Sequence, residues 1–131
     1  MKTTLLLGAL VLLMTGCVTS TVETRKKEKA SAYAALNPEQ KSLVDAGKIQ
    51  VGMSPDAVYV AWGQPSEVLE SESLQGHQTN WVYYGQWVEE TRYWIGPHLA
   101  SDYYPRNYVR AEIIFVKGAV VSWRTLPRPA P

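Results

Sequence analysis

At Pro65 the chain changes its pattern, and that change limits the possible folds more than any other feature of the 131 residues. Upstream, the punctuation is helical. Asn37 is a capping residue followed by Pro38 at a first helical position and Glu39 in a first turn, and this helix ends before Gly47. Ser54, Pro55 and Asp56 repeat the arrangement, leading through Ala57, Val58, Ala61 and Trp62 to Gly63. Leu43 and Val44 give the first helix its apolar side, and Ile49 and Val51 alternate in the connection, where both are expected to pack under the helices. Pro65 blocks any helical continuation. Beyond it apolar residues recur with a period of two over residues 67–71, 80–88, 108–116 and 119–126, which predicts strands. Lys117-Gly118 is short enough to join the last two as an antiparallel hairpin. The order predicts an α+β fold: two N-terminal helices packed on one face of a three- to four-stranded antiparallel sheet.

The N-terminus has a different purpose. Lys2, an apolar run from Leu5 to Met14, then Thr15 and Gly16 before Cys17 have the layout of a signal peptide. The run is about half the roughly 20 apolar residues that a membrane-spanning helix needs. Its end, "LMTGC", holds the chain's only cysteine and resembles the bacterial lipobox. That resemblance implies cleavage before Cys17 and acylation of its thiol and new amine, so the covalent lipid on Cys17 is the membrane anchor. Two or three acyl chains on one residue satisfy the need for more than one hydrophobic signal in stable anchoring. Val18, rather than Asp, follows the cysteine, which resembles the outer-membrane sorting pattern with the domain in the periplasm. Residues 1–16 are thus expected to be a signal peptide and 17–36 a lipidated cysteine with a polar tether. Residues 37–126 form the domain and 127–131 a proline-rich tail. The tether's Arg25, Lys26, Lys27 and Lys29 are expected to be solvated or to lie near anionic head groups.

Composition excludes several functions. Loss of Lys2 with the signal peptide leaves 12 basic against 12 acidic side chains, so there is no basic footprint for nucleic acid. With Cys17 used for lipid no intramolecular disulfide is possible, and about 115 mature residues must be held by their own core. His77 and His98 have no second His or Cys at ligand spacing, so neither a metal nor another cofactor is expected. No nucleophile elbow or phosphate loop is present, and Glu89 and Glu90, as neighbours in a strand, point to opposite faces. No enzyme and no small-molecule substrate are expected.

The stretch "KIQVGMSPDAVYVAWGQP", residues 48–65, resembles the outer-membrane lipoprotein family called BamE or SmpA/OmlA, with its Gly-Met pair, capped helix and Gly-x-Pro exit. "NWVYYGQW" from Asn80 is similar to that family's second strand, and "AEIIFVKGAVVSW" from Ala111 to its closing hairpin. The resemblance implies a fold shared with β-lactamase-inhibitor-like modules and a non-catalytic role beside the β-barrel assembly machinery or another envelope protein. Trp62 stands where the family has Leu, and residues 89–107 form a longer, more aromatic insertion than the family's loop.

That insertion lies in an aromatic-rich region. Trp81, Tyr83 and Trp87 are expected on one face of the second strand, with Val82, Tyr84 and Val88 on the other, and only one face can meet the helices. Exposed Tyr and Trp favour binding surfaces because they combine apolar area with a polar tip. Tyr84, Trp87, Tyr93, Trp94, Tyr103 and Tyr104 are accordingly the expected partner surface. The alternative is an envelope lipoprotein whose rings stack on peptidoglycan or polysaccharide.

Overall fold

The computed structural model describes residues 19–130; the expected signal peptide over 1–16 and Cys17 lie outside the described residues. The fold is α+β, with four short helices and a four-stranded antiparallel sheet. The helices are α1 (Val22–Glu28), α2 (Ala30–Ala34), α3 (Pro38–Asp45) and α4 (Pro55–Trp62). The strands β1 (Glu67–Ser73), β2 (Gly76–Ile95), β3 (His98–Val116) and β4 (Ala119–Thr125) lie in sequence order across the sheet. Among the described residues no helix is long and apolar enough to cross a membrane.

Both expected helices form where their caps place them. Asn37 accepts a hydrogen bond from the Gln40 amide at 2.8 Å, and Ser54 accepts one from the Ala57 amide at 3.2 Å. Gly63 ends α4 at φ 83°, a conformation open to glycine because it has no Cβ. Eight residues are too few for a helix to persist alone, since isolated helices shorter than about 12–15 residues are marginal in water. Packing therefore holds α4, which buries Ala57, Val58, Val60 and Ala61. These join Val44, Ile49 and Met53 in one cluster with Tyr83 of β2, Ala111, Ile113 and Phe115 of β3, and Val120 of β4. Fully burying a Val, Ile or Met side chain contributes about 1.5–3 kcal/mol. The loop before α4 is also tied to β4: Gly52 N–H donates to the Val120 carbonyl at 2.8 Å, and Val120 N–H to that of Met53 at 2.9 Å. Ile49 is buried as expected, but Val51 is 59% exposed, because this stitching turns Met53 inward instead.

The Lys117-Gly118 turn joins β3 to β4 with both residues at positive φ, 51° and 76°. This two-residue, left-handed geometry matches the twist of the strands it connects. The strands over 67–71 and 119–126 are found close to their expected bounds. β2 and β3 are much longer than expected, because residues 89–107 are not a loop but the outer part of the β2–β3 hairpin. A two-residue turn at Gly96-Pro97, with Gly96 at φ 57°, closes it.

The expected tether is also largely folded. Thr21 and Thr24 make a reciprocal capping box that starts α1. Arg25, read as a solvated base, is buried: its Nε donates to the Val60 carbonyl at 2.9 Å, Nη2 to that of Ala61 at 3.0 Å, and Nη1 to that of Ser20 at 2.9 Å. Val60 and Ala61 lie in the last turn of α4, where carbonyls lack helical partners and the helix dipole is negative. The guanidinium fork thus clasps α1 to the end of α4. Lys26 bonds Asp45 of α3 at 2.9 Å, and Lys29 bonds Asp56 of α4 at 2.9 Å. Of the four bases expected to be solvated or to lie near head groups, three are engaged within the domain.

Arg25→Met should fill the space but leave the α4 carbonyls without donors, lowering stability by roughly 2–4 kcal/mol in urea unfolding. Arg25→Lys should recover only part, since one ammonium cannot serve the fork's separated acceptors. A loss below about 0.5 kcal/mol for Met, the range of ordinary surface changes, would show that the clasp is dispensable. Lys26 and then the Tyr33 hydroxyl hold Asp45 below its ordinary 3.8. A lowered folded value means this contribution is complete above 3.8 and fades as pH falls through the folded value. Amide exchange in α1 and α2 is therefore expected to quicken selectively below about pH 4 and to be insensitive to this group at neutral pH.

Candidate interaction surface

The four-stranded body ends where β1 and β4 stop pairing. β1 reaches Val82 through Glu67, and β4 reaches Ala111 through Thr125. Beyond these, β2 and β3 continue alone from Tyr84↔Val109 to Ile95↔His98. At about 3.3 Å per residue this arm extends roughly 40 Å. Its root is marked by a register shift between Tyr83 and Tyr84 that leaves Arg110 of β3 unpaired with β2. Extra residues of this kind bend a strand pair and increase its twist. A groove of ≈ 410 Å³ opens beside the root, lined by Ala61, Trp62, Arg110, Ala111 and Thr125.

Isolated two-stranded hairpins are marginal in water, so the arm depends on its cross-strand contacts. The Tyr108 ring covers Gly85, its directly paired residue, so closely that a Cβ there would lie 2.6 Å from the ring. Arg106 Nε donates to Glu89 at 2.8 Å, and its guanidinium lies 5.9 Å from the Tyr104 ring centre. On the opposite face Glu90 accepts from Arg92 at 2.9 and 3.0 Å and from Ser101 at 2.8 Å. Arg92 and then Ser101 hold the Glu90 carboxyl below its usual range. Glu89 and Glu90 thus occupy opposite faces in separate ion pairs.

The same alternation divides the six aromatic residues singled out in the sequence. Tyr84, Trp94 and Tyr103 share one face, while Trp87, Tyr93 and Tyr104 share the other, which continues from the core-facing side of β2. They do not form a single surface. Trp87 is half-buried and lies beside the Tyr104–Arg106–Glu89 set, whereas Trp94 is 70% exposed and Tyr103 65%. The nearby Asp102 carboxylate raises the Tyr93 pKa. The hydrogen bond to Glu67 raises that of Tyr84.

The face of the sheet turned away from the core cluster is less open than its sequence implies. Val82 is only 4% exposed although it lies outside the core cluster. Its paired neighbours are Glu67 on β1 and Glu112 on β3. Tyr84 donates to Glu67 at 2.6 Å and Arg124 to Glu112 at 2.6 Å, so long polar side chains close over the valine. On the helix side, Trp62 donates to the Gly47 carbonyl at 2.9 Å and meets Tyr83 and Trp123 edge-on at 5.6 and 6.0 Å. Trp62, Trp81 and Tyr83 are structural rings.

Among the described residues no three His, Cys, Asp or Glu side chains converge in a metal-binding group. His77 bonds Glu70 at 2.6 Å near one end of the sheet, and His98 begins β3 at the arm's tip. Comparison with family models, curated proteins and solved structures finds no match to the chain.

Sequence reasoning missed the arm as an element because both of its faces mix rings with charges, which hides the period of two. Gly96-Pro97 between Trp94-Ile95 and Leu99 was the available turn signal. Gly85→Val is expected to displace the Tyr108 ring and cost about 1 kcal/mol of local arm stability, read as faster exchange of arm amides with the body unchanged. Trp94→Ala should alter global stability by no more than about 0.5 kcal/mol. A larger loss would assign Trp94 a structural role.

Proposed function

We propose that the chain is a lipoprotein anchored through acylated Cys17 and that its domain is a non-catalytic protein-interaction module of the bacterial envelope, with the β2–β3 arm as the interacting element. The arm carries this proposal. A two-stranded extension of roughly 40 Å adds no core, yet its outer residues present Tyr103 and Trp94 on one exposed face together with Val88. Backbone groups along both of its outer edges lack neighbouring strands, so a partner can pair with an edge as well as pack on a face.

Likeness to the BamE or SmpA/OmlA family belongs to the same proposal. It rests on the Gly52-Met53 pair, the Ser54-capped helix and the Gly63-x-Pro65 exit. On this reading the protein sits on the periplasmic side of the outer membrane beside a component of barrel assembly or a related envelope protein. The segments that carry this likeness build the body, and the arm supplies contacts that the family's shorter loop does not.

Replacing residues 87–106 by a two-residue Asn-Gly turn between the paired Gln86 and Asn107 should keep the four-stranded body folded. Cross-linking in native membranes followed by purification should then recover the partner with the full chain and lose it with the shortened one. An unchanged set of cross-linked proteins would remove the arm from the interaction. Co-sedimentation of the full chain with purified sacculi in place of a protein partner would replace this proposal with the carbohydrate-binding one.

A further inference from the structure

The folded domain begins almost where the proposed lipid would hold it. Ser20 is fixed by Arg25, whose Nη1 donates to its carbonyl at 2.9 Å and its hydroxyl at 3.1 Å. Only Val18 and Thr19 separate Ser20 from Cys17. An extended chain spans at most about 3.6 Å per residue, which places Ser20 within roughly 11 Å of the Cys17 backbone. The polar layer of a bilayer leaflet is itself about 5–8 Å deep. An acylated Cys17 therefore brings the start of α1 to the lipid surface.

The arm leaves the body from this same end. Arg25 packs against Gly63, where a Cβ would meet Nη1 at 3.5 Å. The Gly63 carbonyl accepts the Tyr83 hydroxyl at 2.9 Å, and Tyr83 is the last β2 residue before the arm. The anchor point and the arm's root are thus separated by little more than one arginine and one tyrosine side chain. The turns at the other end of the sheet, around Gly76 and Gly118, lie away from the anchor.

The arm's tip has the chemistry of a membrane interface. Residues 93–100, "YWIGPHLA", contain no Lys, Arg, Asp or Glu. Trp94 and its paired Leu99 stand side by side, 70% and 53% exposed, and Ile95 is 59% exposed. Charges resume immediately behind the tip, with Arg92 bonded to Glu90 and Asp102 bonded to Tyr104. Trp and Tyr rings settle at the boundary between head groups and acyl chains, where one end is apolar and the other wet.

We infer that the arm lies along the bilayer that holds Cys17 and sets Trp94 and Leu99, which share one face at its tip, into the head-group boundary, making the arm a second membrane contact. This rests on the proposed acylation of Cys17. It gives the arm two regions: a lipid-contacting face at the tip and unpaired strand edges left for the protein partner. With no formal charge at the tip, insertion does not require anionic lipid.

The test uses the full mature lipoprotein in phosphatidylcholine vesicles with brominated acyl chains, after intact mass has established the acyl groups on Cys17. Bromine quenches nearby tryptophan fluorescence, and most of the quenching is expected to disappear in Trp94→Phe. Leu99→Asp should reduce quenching similarly by placing a charge at the tip, without unfolding the exposed hairpin. Neither added phosphatidylglycerol nor salt should change the wild-type signal by more than about the twofold expected of an uncharged contact. Equal quenching in wild type and Trp94→Phe, with Cys17 acylated, overturns tip insertion alone. Absence of acyl groups from Cys17 overturns the anchoring proposal and this inference with it.

Discussion

The pairing of β2 with β3 is the constraint on which the rest of the molecule depends. It supplies the centre of the sheet, places Tyr83, Ala111, Ile113 and Phe115 against the helices, and then continues past both outer strands as the arm. The register shift between Tyr83 and Tyr84 marks the change from one duty to the other. On the body side, alternate residues are locked by a buried core. On the arm side no core exists, and ion pairs, ring contacts and ladder hydrogen bonds must maintain the register.

The N-terminal helices solve a different problem. α4 is short and ends with carbonyls that a helix cannot satisfy internally. Arg25 meets two of them and at the same time holds Ser20, so one side chain finishes α4 and fixes where the domain begins. Burying a guanidinium is unfavourable unless its donors find acceptors, and here the fork matches the available carbonyls. The surrounding Lys26–Asp45 and Lys29–Asp56 pairs are exposed enough to be screened by solvent and contribute mainly to orientation. Joined to the proposed anchor, the clasp turns an apparent leash into a short, directed attachment, with consequences for where the arm can reach.

Much of the body was legible from local chemistry. Asn37-Pro38 and Ser54-Pro55 specify helix starts through backbone geometry and an adjacent acceptor, and neither depends on distant residues. Gly63 and Pro65 likewise end α4, and Lys117-Gly118 closes a hairpin by backbone conformation alone. The core-facing alternation of Ile113 and Phe115 was equally plain. The candidate surface was less legible: its aromatic residues were visible, but their division between two faces depends on the unbroken strands through residues 89–107.

Local sequence by itself thus determined the capped helices, the core-facing strand segments, the closing turn and the α+β order, because each follows from nearest-neighbour backbone preferences or a regular apolar period. Only the tertiary structure decided that Arg25 is a buried clasp, that Val82 is roofed by polar side chains, and that residues 89–107 form an arm. Those outcomes depend on acceptors or cross-strand partners distant in sequence: Val60 and Ala61 for Arg25, Glu67 and Glu112 for Val82, and the facing strand for every residue of the arm. A charged or aromatic side chain has no fixed place in the fold until such partners are brought beside it.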